Sequence, residues 1–166
     1  MMLDVTVRRE GKSVYTDIAL NDAALTKGAV ARMVDLEVCA DQMRIFSFSS
    51  DGVIVSTPTG STAYSLSVGG PVVAPQCACL VLSPVAPHNL TMRPVVIPSS
   101  SDVRLKVHAR HAEISIATDN ETCPIPEGAE FRVRLASRRF FLAVPHNISF
   151  YDTLRKKMMW GVDIRS

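Results

Sequence analysis

The chain has 166 residues, 47% of them hydrophobic and 20% charged, which is enough to bury one substantial core and too apolar for disorder along its whole length. Its 18 Lys and Arg against 16 Asp and Glu leave a net charge of +2, which excludes the broad field that recruits nucleic acid or acidic membranes, so an anionic ligand must be held locally. Apolar runs such as residues 77–85 fall far short of the roughly 20 residues of a membrane helix, and no charged-then-apolar signal opens the chain, so the expected location is the cytoplasm.

In chain order, strands are predicted at residues 3–8, 30–38, 43–48, 53–56, 102–107, 113–117, 131–136 and 140–144, where β-branched and aromatic residues cluster. Leu3, Val5 and Val7 alternate with Asp4, Thr6 and Arg8, and Phe131, Val133 and Leu135 alternate with Arg132 and Arg134, as half-buried strands require. Ten prolines, including Pro71, Pro75, Pro84, Pro87, Pro94 and Pro98, exclude long helices from the middle of the chain. A short helix is predicted from about Ser61 to Leu66. Near the end, Phe150, Leu154 and Met158 form one stripe after Ser149, a predicted N-cap, with Arg155, Lys156 and Lys157 toward the partially negative helix end. Many strands and one late helix predict a mainly β fold of sheet packed on sheet, in a single domain spanning 1–166.

The segment that stands out is DGVIVSTPTGSTAYSLSVGGP, from Asp51 to Pro71. A short apolar strand runs directly into small hydroxyl residues and glycine. Pro58 sets one turn, Gly60 can take positive φ, and Thr57, Thr59, Ser61 and Thr62 offer short polar groups close to the main chain. Backbone N–H groups opening a helix after Gly60 would favour an anion without a basic side chain, and Tyr64 adds an aromatic face. The same residues also suit a Ser/Thr-rich turn between strands. No GxxxxGK[ST], GxGxxG or GxSxG pattern occurs.

Cys39, Cys77, Cys79 and Cys123 are irregularly spaced and are expected to be buried reduced thiols. His88, His108, His111 and His146 form no recognisable ligand set, so no metal site is expected in the chain itself.

The long central motif, followed by PVAPH (Pro84 to His88) and RPVVIP (Arg93 to Pro98), closely resembles the NAD kinase family. So do ALND (Ala19 to Asp22) upstream and FYDTLRKKMMWG (Phe150 to Gly161) at the end, and the match covers essentially the whole chain. The resemblance implies the β-sandwich of that family's C-terminal, dinucleotide-binding and oligomerising domain. The family's enzymes transfer a terminal phosphoryl group from ATP or polyphosphate to the adenosine ribose 2′-hydroxyl of NAD, giving NADP, with a divalent cation such as Mg²⁺ arriving with the phosphate donor.

Carried over residue by residue, the resemblance makes Asn21 and Asp22 dinucleotide contacts, though an Asn-Asp pair equally suits a cap or turn. It makes Asp51 a contact to the nicotinamide end, often across a subunit interface, and Thr59, Thr62, Ala63, Tyr64, Ser65, Leu66 and Ser67 the part that wraps the bases. Ala86 and Asn120 match further ligand positions, though they equally suit packing and a turn, and Arg32 matches one that faces phosphate, though it equally suits the solvated face of a strand. Ser49 departs from relatives with a basic residue there, which puts a phosphate contact at that position in doubt. The family's catalytic carboxylate belongs to a Gly-Gly-Asp-Gly motif in an N-terminal α/β domain, and this chain has no GGDG. The expectation is therefore a piece of a larger enzyme, inactive alone, which joins its own N-terminal domain and assembles as a homodimer or homotetramer. A non-catalytic nucleotide-binding module and a structural oligomerisation domain are the alternatives.

Overall fold

The computed structural model describes residues 1–28, 33–108, 113–119, 121–144 and 148–159. Its strands form two antiparallel sheets of six. Sheet I takes the order β2-β1-β12-β9-β4-β5, from β1 (Leu3–Arg9), β2 (Lys12–Ala19), β4 (Val34–Ala40), β5 (Met43–Ser50), β9 (Val103–His108) and β12 (Glu130–Leu135). Sheet II takes the order β11-β10-β3-β6-β7-β8, from β3 (Asp22–Lys27), β6 (Gly52–Ser56), β7 (Cys79–Val85), β8 (Val95–Pro98), β10 (Ile114–Thr118) and β11 (Glu121–Ile125).

Period-two alternation builds the core. Leu3, Val5, Val7, Leu36, Val38, Leu105, Phe131 and Val133 of sheet I join Leu25, Val53, Val55, Leu80, Leu82 and Ile116 of sheet II in one buried cluster. A one-residue slip in any of these strands would turn its apolar set toward water, so burial enforces the register. The sheets are also clasped by polar groups. The Tyr15 hydroxyl on β2 donates to Asp17 (2.9 Å) and lies 2.7 Å from the Thr118 hydroxyl on β10, which itself donates to Asp17.

Most predicted strands are present, with edges shifted by a residue or two. Two differences have physical reasons, and a third expectation reaches beyond the described residues. Residues 140–144 form no strand: Phe140, Phe141, Leu142 and Val144 are exposed and pair with no strand among the described residues, so the run lacks both the ladder and the buried face that hold a strand in place. The strand expected from residue 30 begins at Val34, its first part lying outside the described residues. Strands β2, β3, β7, β8 and β11 arise where no strand was predicted, since β-pairing depends on partners distant in sequence. The cysteines are free, but Cys77 is exposed and the other three are only partly covered, contrary to the expectation of burial.

Helix α2 (Phe150–Met158) is capped as predicted. Ser149 and Asp152 form a reciprocal capping box, Arg155, Lys156 and Lys157 occupy the last turn, and Leu154 is the residue it buries. No described helix is long and apolar enough to cross a membrane.

Candidate functional site

Beyond β6 the chain makes a 3₁₀ turn (Gly60–Thr62) and a single-turn helix, α1 (Tyr64–Ser67), where one helix was predicted. This segment is tied back at nearly every step. The Thr57 hydroxyl donates to the Leu20 carbonyl (2.8 Å) and accepts from the Gly60 N–H (3.0 Å), and the Thr57 N–H donates to the Asn21 carbonyl (2.9 Å). A side chain at Gly60 would meet that same Asn21 carbonyl oxygen at 2.0 Å, so only glycine allows the turn to press against the 20–22 backbone. The Ser61 hydroxyl donates to the Pro58 carbonyl (2.7 Å) and accepts from the Val73 N–H (2.9 Å). Ser65 and Ser83, both fully buried, share a hydrogen bond of 2.9 Å.

The result is a cleft of about 280 Å³ at one end of sheet II, lined by Asn21, Asp22, Ala24, Ala63, Tyr64, Ala117 and Asp119. Ala24 on β3 and Ala117 on β10 are neighbours in register and supply small side chains to its lining. Tyr64, about 43% exposed, is its aromatic wall.

Asp22 is 4% exposed and receives the Tyr64 backbone N–H. Burial, then the neighbouring Asp119 charge, pushes its carboxyl up to about 6, with the Tyr64 N–H opposing them. Asp119, in the left-handed region at φ 52°, accepts the N–H groups of Leu20 (2.8 Å), Asn21 (2.7 Å) and Asp22 (3.3 Å). Its own N–H donates to the Asp22 carbonyl at 3.0 Å. The helix-opening N–H of Tyr64, expected to favour an anion, is thus engaged by Asp22. No lysine or arginine lines this cleft among the described residues.

The sequence-predicted residues divide. Asn21, Asp22, Ala63 and Tyr64 meet in the cleft. Thr59, Thr62 and Ser67 are exposed on the same turn segment and Leu66 is partly covered, whereas Ser65 has no surface to offer a ligand. Asp51 and Ala86 sit at the opposite end of β6, on the order of 16 Å from the level of Asp22 at the usual rise per strand residue. There the Asp51 N–H donates to the Val85 carbonyl (3.0 Å), its carboxylate lies 3.6 Å from the Lys27 ammonium, and Ala86 takes a φ of 43°. Ser49 donates its hydroxyl to Asp35. Arg32 and Asn120, with His111 and His146, lie outside the described residues. No group of three or more His, Cys, Asp or Glu side chains converges on a metal position among the described residues.

Sequence reasoning missed Asp119, Ala24 and Ala117. Asp119 precedes an asparagine between two strands, which reads as a turn, and nothing local signals that its carboxylate serves backbone about a hundred residues upstream.

Comparison with known proteins matches residues 20–145 to the model of the ATP-NAD kinase C-terminal domain. An NAD kinase of Geobacter sulfurreducens is 38% identical over 162 residues, covering 97% of this chain and 57% of the relative. An NAD kinase of Yersinia pestis is 42% identical over 161 residues, covering 96% and 55%. The chain therefore spans somewhat more than half the length of the curated relatives it matches. Among solved structures, yeast NADH kinase complexed with NADH superposes with a TM-score of 0.74 at 30% identity, covering 80% of this chain and 39% of that one. An NAD kinase from Archaeoglobus fulgidus in complex with ATP gives a TM-score of 0.67 at 26% identity, covering 81% and 51%.

Proposed function

The chain belongs to the ATP-NAD kinase family, matching its C-terminal domain, and from that premise we propose that it is the dinucleotide-binding part of an enzyme that phosphorylates NAD at the adenosine ribose 2′-hydroxyl. The observation that carries the reading is the cleft in which Asn21, Asp22, Ala63 and Tyr64 meet, brought together from two separate sequence motifs.

The chemistry of the lining says which part of the ligand it suits. With no lysine or arginine among its described lining residues the carboxylate-lined cleft repels phosphate, and Asp22 accepts hydrogen bonds from ribose hydroxyls or from the amino and amide groups of a base, while Tyr64 offers a stacking face. The cleft holds one nucleoside half, on this reading, and the pyrophosphate lies toward its mouth, near exposed Thr59 and Thr62. Arg32 and Asn120 are proposed as further contacts.

Asp51 and Ala86 are too far from the cleft to serve the same nucleoside half. We infer that they contact the dinucleotide of a second copy, which requires a homodimer or homotetramer. Phosphoryl transfer demands alignment of the attacking hydroxyl and neutralisation of phosphate charge. This chain supplies the alignment. The attacking-group carboxylate, the phosphate donor (ATP or polyphosphate) and its divalent cation are assigned to the remainder of the enzyme. Among the described residues no group of ligating side chains converges to hold that cation.

Calorimetric titration with NAD tests the proposal. Saturable binding is expected, weakened about tenfold or more in Tyr64→Ala through lost stacking. No saturable heat at millimolar NAD sinks it and leaves a purely structural domain. A coupled NADP-forming assay on the 166-residue chain is expected to show no turnover, and a rate within tenfold of a full-length relative overturns the division of labour.

A further inference from the structure

Two of the residues proposed to touch the dinucleotide, Asn21 and Asp22, sit just before and at the start of β3, a place where backbone ordinarily frays. Here it does not have that freedom. Three consecutive N–H groups, of Leu20, Asn21 and Asp22, converge on one carboxylate, that of Asp119, from the β10–β11 turn. The turn answers with its own N–H to the Asp22 carbonyl. From the other side Thr57 takes the Leu20 and Asn21 carbonyls, so that the 20–22 segment is held on both flanks.

We propose that Asp119 is a positioning residue for dinucleotide recognition, acting through the 20–22 backbone to hold Asn21 and Asp22 in the cleft. The proposal rests on the dinucleotide reading of that cleft. Sequence alone assigned this turn a ligand contact only at Asn120.

Three further observations support it. First, a carboxylate that accepts several backbone N–H groups is a stronger and more directional anchor than an amide or hydroxyl, because each bond is charge-assisted. Second, Asp119 adopts a left-handed conformation that aspartate and asparagine tolerate better than other side chains, so the position combines the backbone shape of a turn with the charge of an anchor. Third, the residue before it is itself pinned: Thr118 is buried and bonded to Asp17 and Tyr15 of sheet I, which fixes the turn to the opposite sheet. The anchor therefore connects the cleft to the body of the sandwich. A positioning role also has an electrostatic side. The titratable groups lining the cleft with Asp22 are Asp119, from the β10–β11 turn, and Tyr64, from α1, with Asp17 and Tyr15 behind Thr118 on β2. Asp119 is the neighbour whose charge opposes ionisation of Asp22, so removing that charge alters what Asp22 presents to a ligand.

The variants Asp119→Asn and Asp119→Ala test the proposal on the 166-residue chain. Asparagine keeps the shape and the left-handed preference but loses the charge; alanine loses the acceptor entirely. Expected are an NAD dissociation constant raised about tenfold in Asp119→Asn and further in Asp119→Ala, as charged hydrogen bonds are lost. NMR of the free chain should show faster amide exchange at Leu20, Asn21 and Asp22, and an Asp22 titration midpoint that moves down from about 6. A residue that only stabilises the fold would lower the melting temperature but leave the NAD affinity of the folded protein unchanged, and that result overturns the proposal. So does wild-type NAD affinity in Asp119→Asn, even if the amides exchange faster. Failure of the wild-type chain to bind NAD at all sinks the dinucleotide reading instead, which the calorimetry of the unsubstituted protein shows separately.

Discussion

The two sheets have equal numbers of strands and both turn apolar faces to the core, yet their outer faces meet opposite fates. On sheet I the outer face is charged: Arg134 pairs with Asp4 at 3.7 Å, and Arg132 and Arg104 both reach Asp102, at 2.7 and 3.3 Å. On sheet II the outward positions Ala24, Ile54, Ser56, Val81 and Ser83 are buried, and Ser83 bonds to α1 above it. One sheet ends in solvent, the other is the underside of a third layer. Functional geometry requires the second kind of face, because side chains held on two sides cannot drift, whereas a solvated face tolerates change.

The largest expected effect breaks the third layer outright. In Gly60→Ala a methyl group would lie 2.0 Å from the Asn21 carbonyl, and the turn must move, costing about 3 kcal/mol or more and removing NAD binding. Chemical denaturation and calorimetry check both. If the variant keeps wild-type stability and affinity, the turn does not shape the cleft.

Asp22→Asn sharpens the contrast by pH. The folded-state carboxyl is raised from 3.8 to about 6, so its contribution to stability is fully present below pH 4 and is lost as pH rises through 6. That shift corresponds to about 3 kcal/mol of penalty at pH 7. Asparagine carries no such charge and can still accept the Tyr64 N–H, so the variant should melt higher than wild type at pH 7, equal it near pH 4, and bind NAD less well. An equal melting difference at both pH values would contradict the burial of a charged Asp22.

A smaller loss is expected from Ser61→Ala, which orphans the Val73 N–H beneath the turn, costing about 1 to 2 kcal/mol of unfolding free energy measured by chemical denaturation. Smallest of all is Arg134→Ala on sheet I, whose pair with Asp4 is half exposed; its effect should stay under about 1 kcal/mol with NAD affinity unchanged. If Arg134→Ala weakened NAD binding, the two outer faces would not differ in role.

Much of this molecule was legible in one dimension. Alternation in 3–8 and 131–135 announced half-buried strands, Ser149 announced a helix start, and the run from Asp51 to Pro71 announced the turn that caps sheet II and its family. These are local signals: side-chain periodicity, capping chemistry and the backbone freedom of glycine act within a few residues. Only tertiary structure decided the rest. Pairing of β3 with β6 and β10 brings Asp22 beside Tyr64 and Asp119, and the length of β6 carries Asp51 away from them although it opens the same motif. Asp119 became an anchor because its acceptors find donors about a hundred residues earlier in the chain, and the apolar run 140–144 joins neither sheet although its composition reads as a strand. Hydrogen-bond partners across sheets are chosen by topology, and topology is a property of the whole chain.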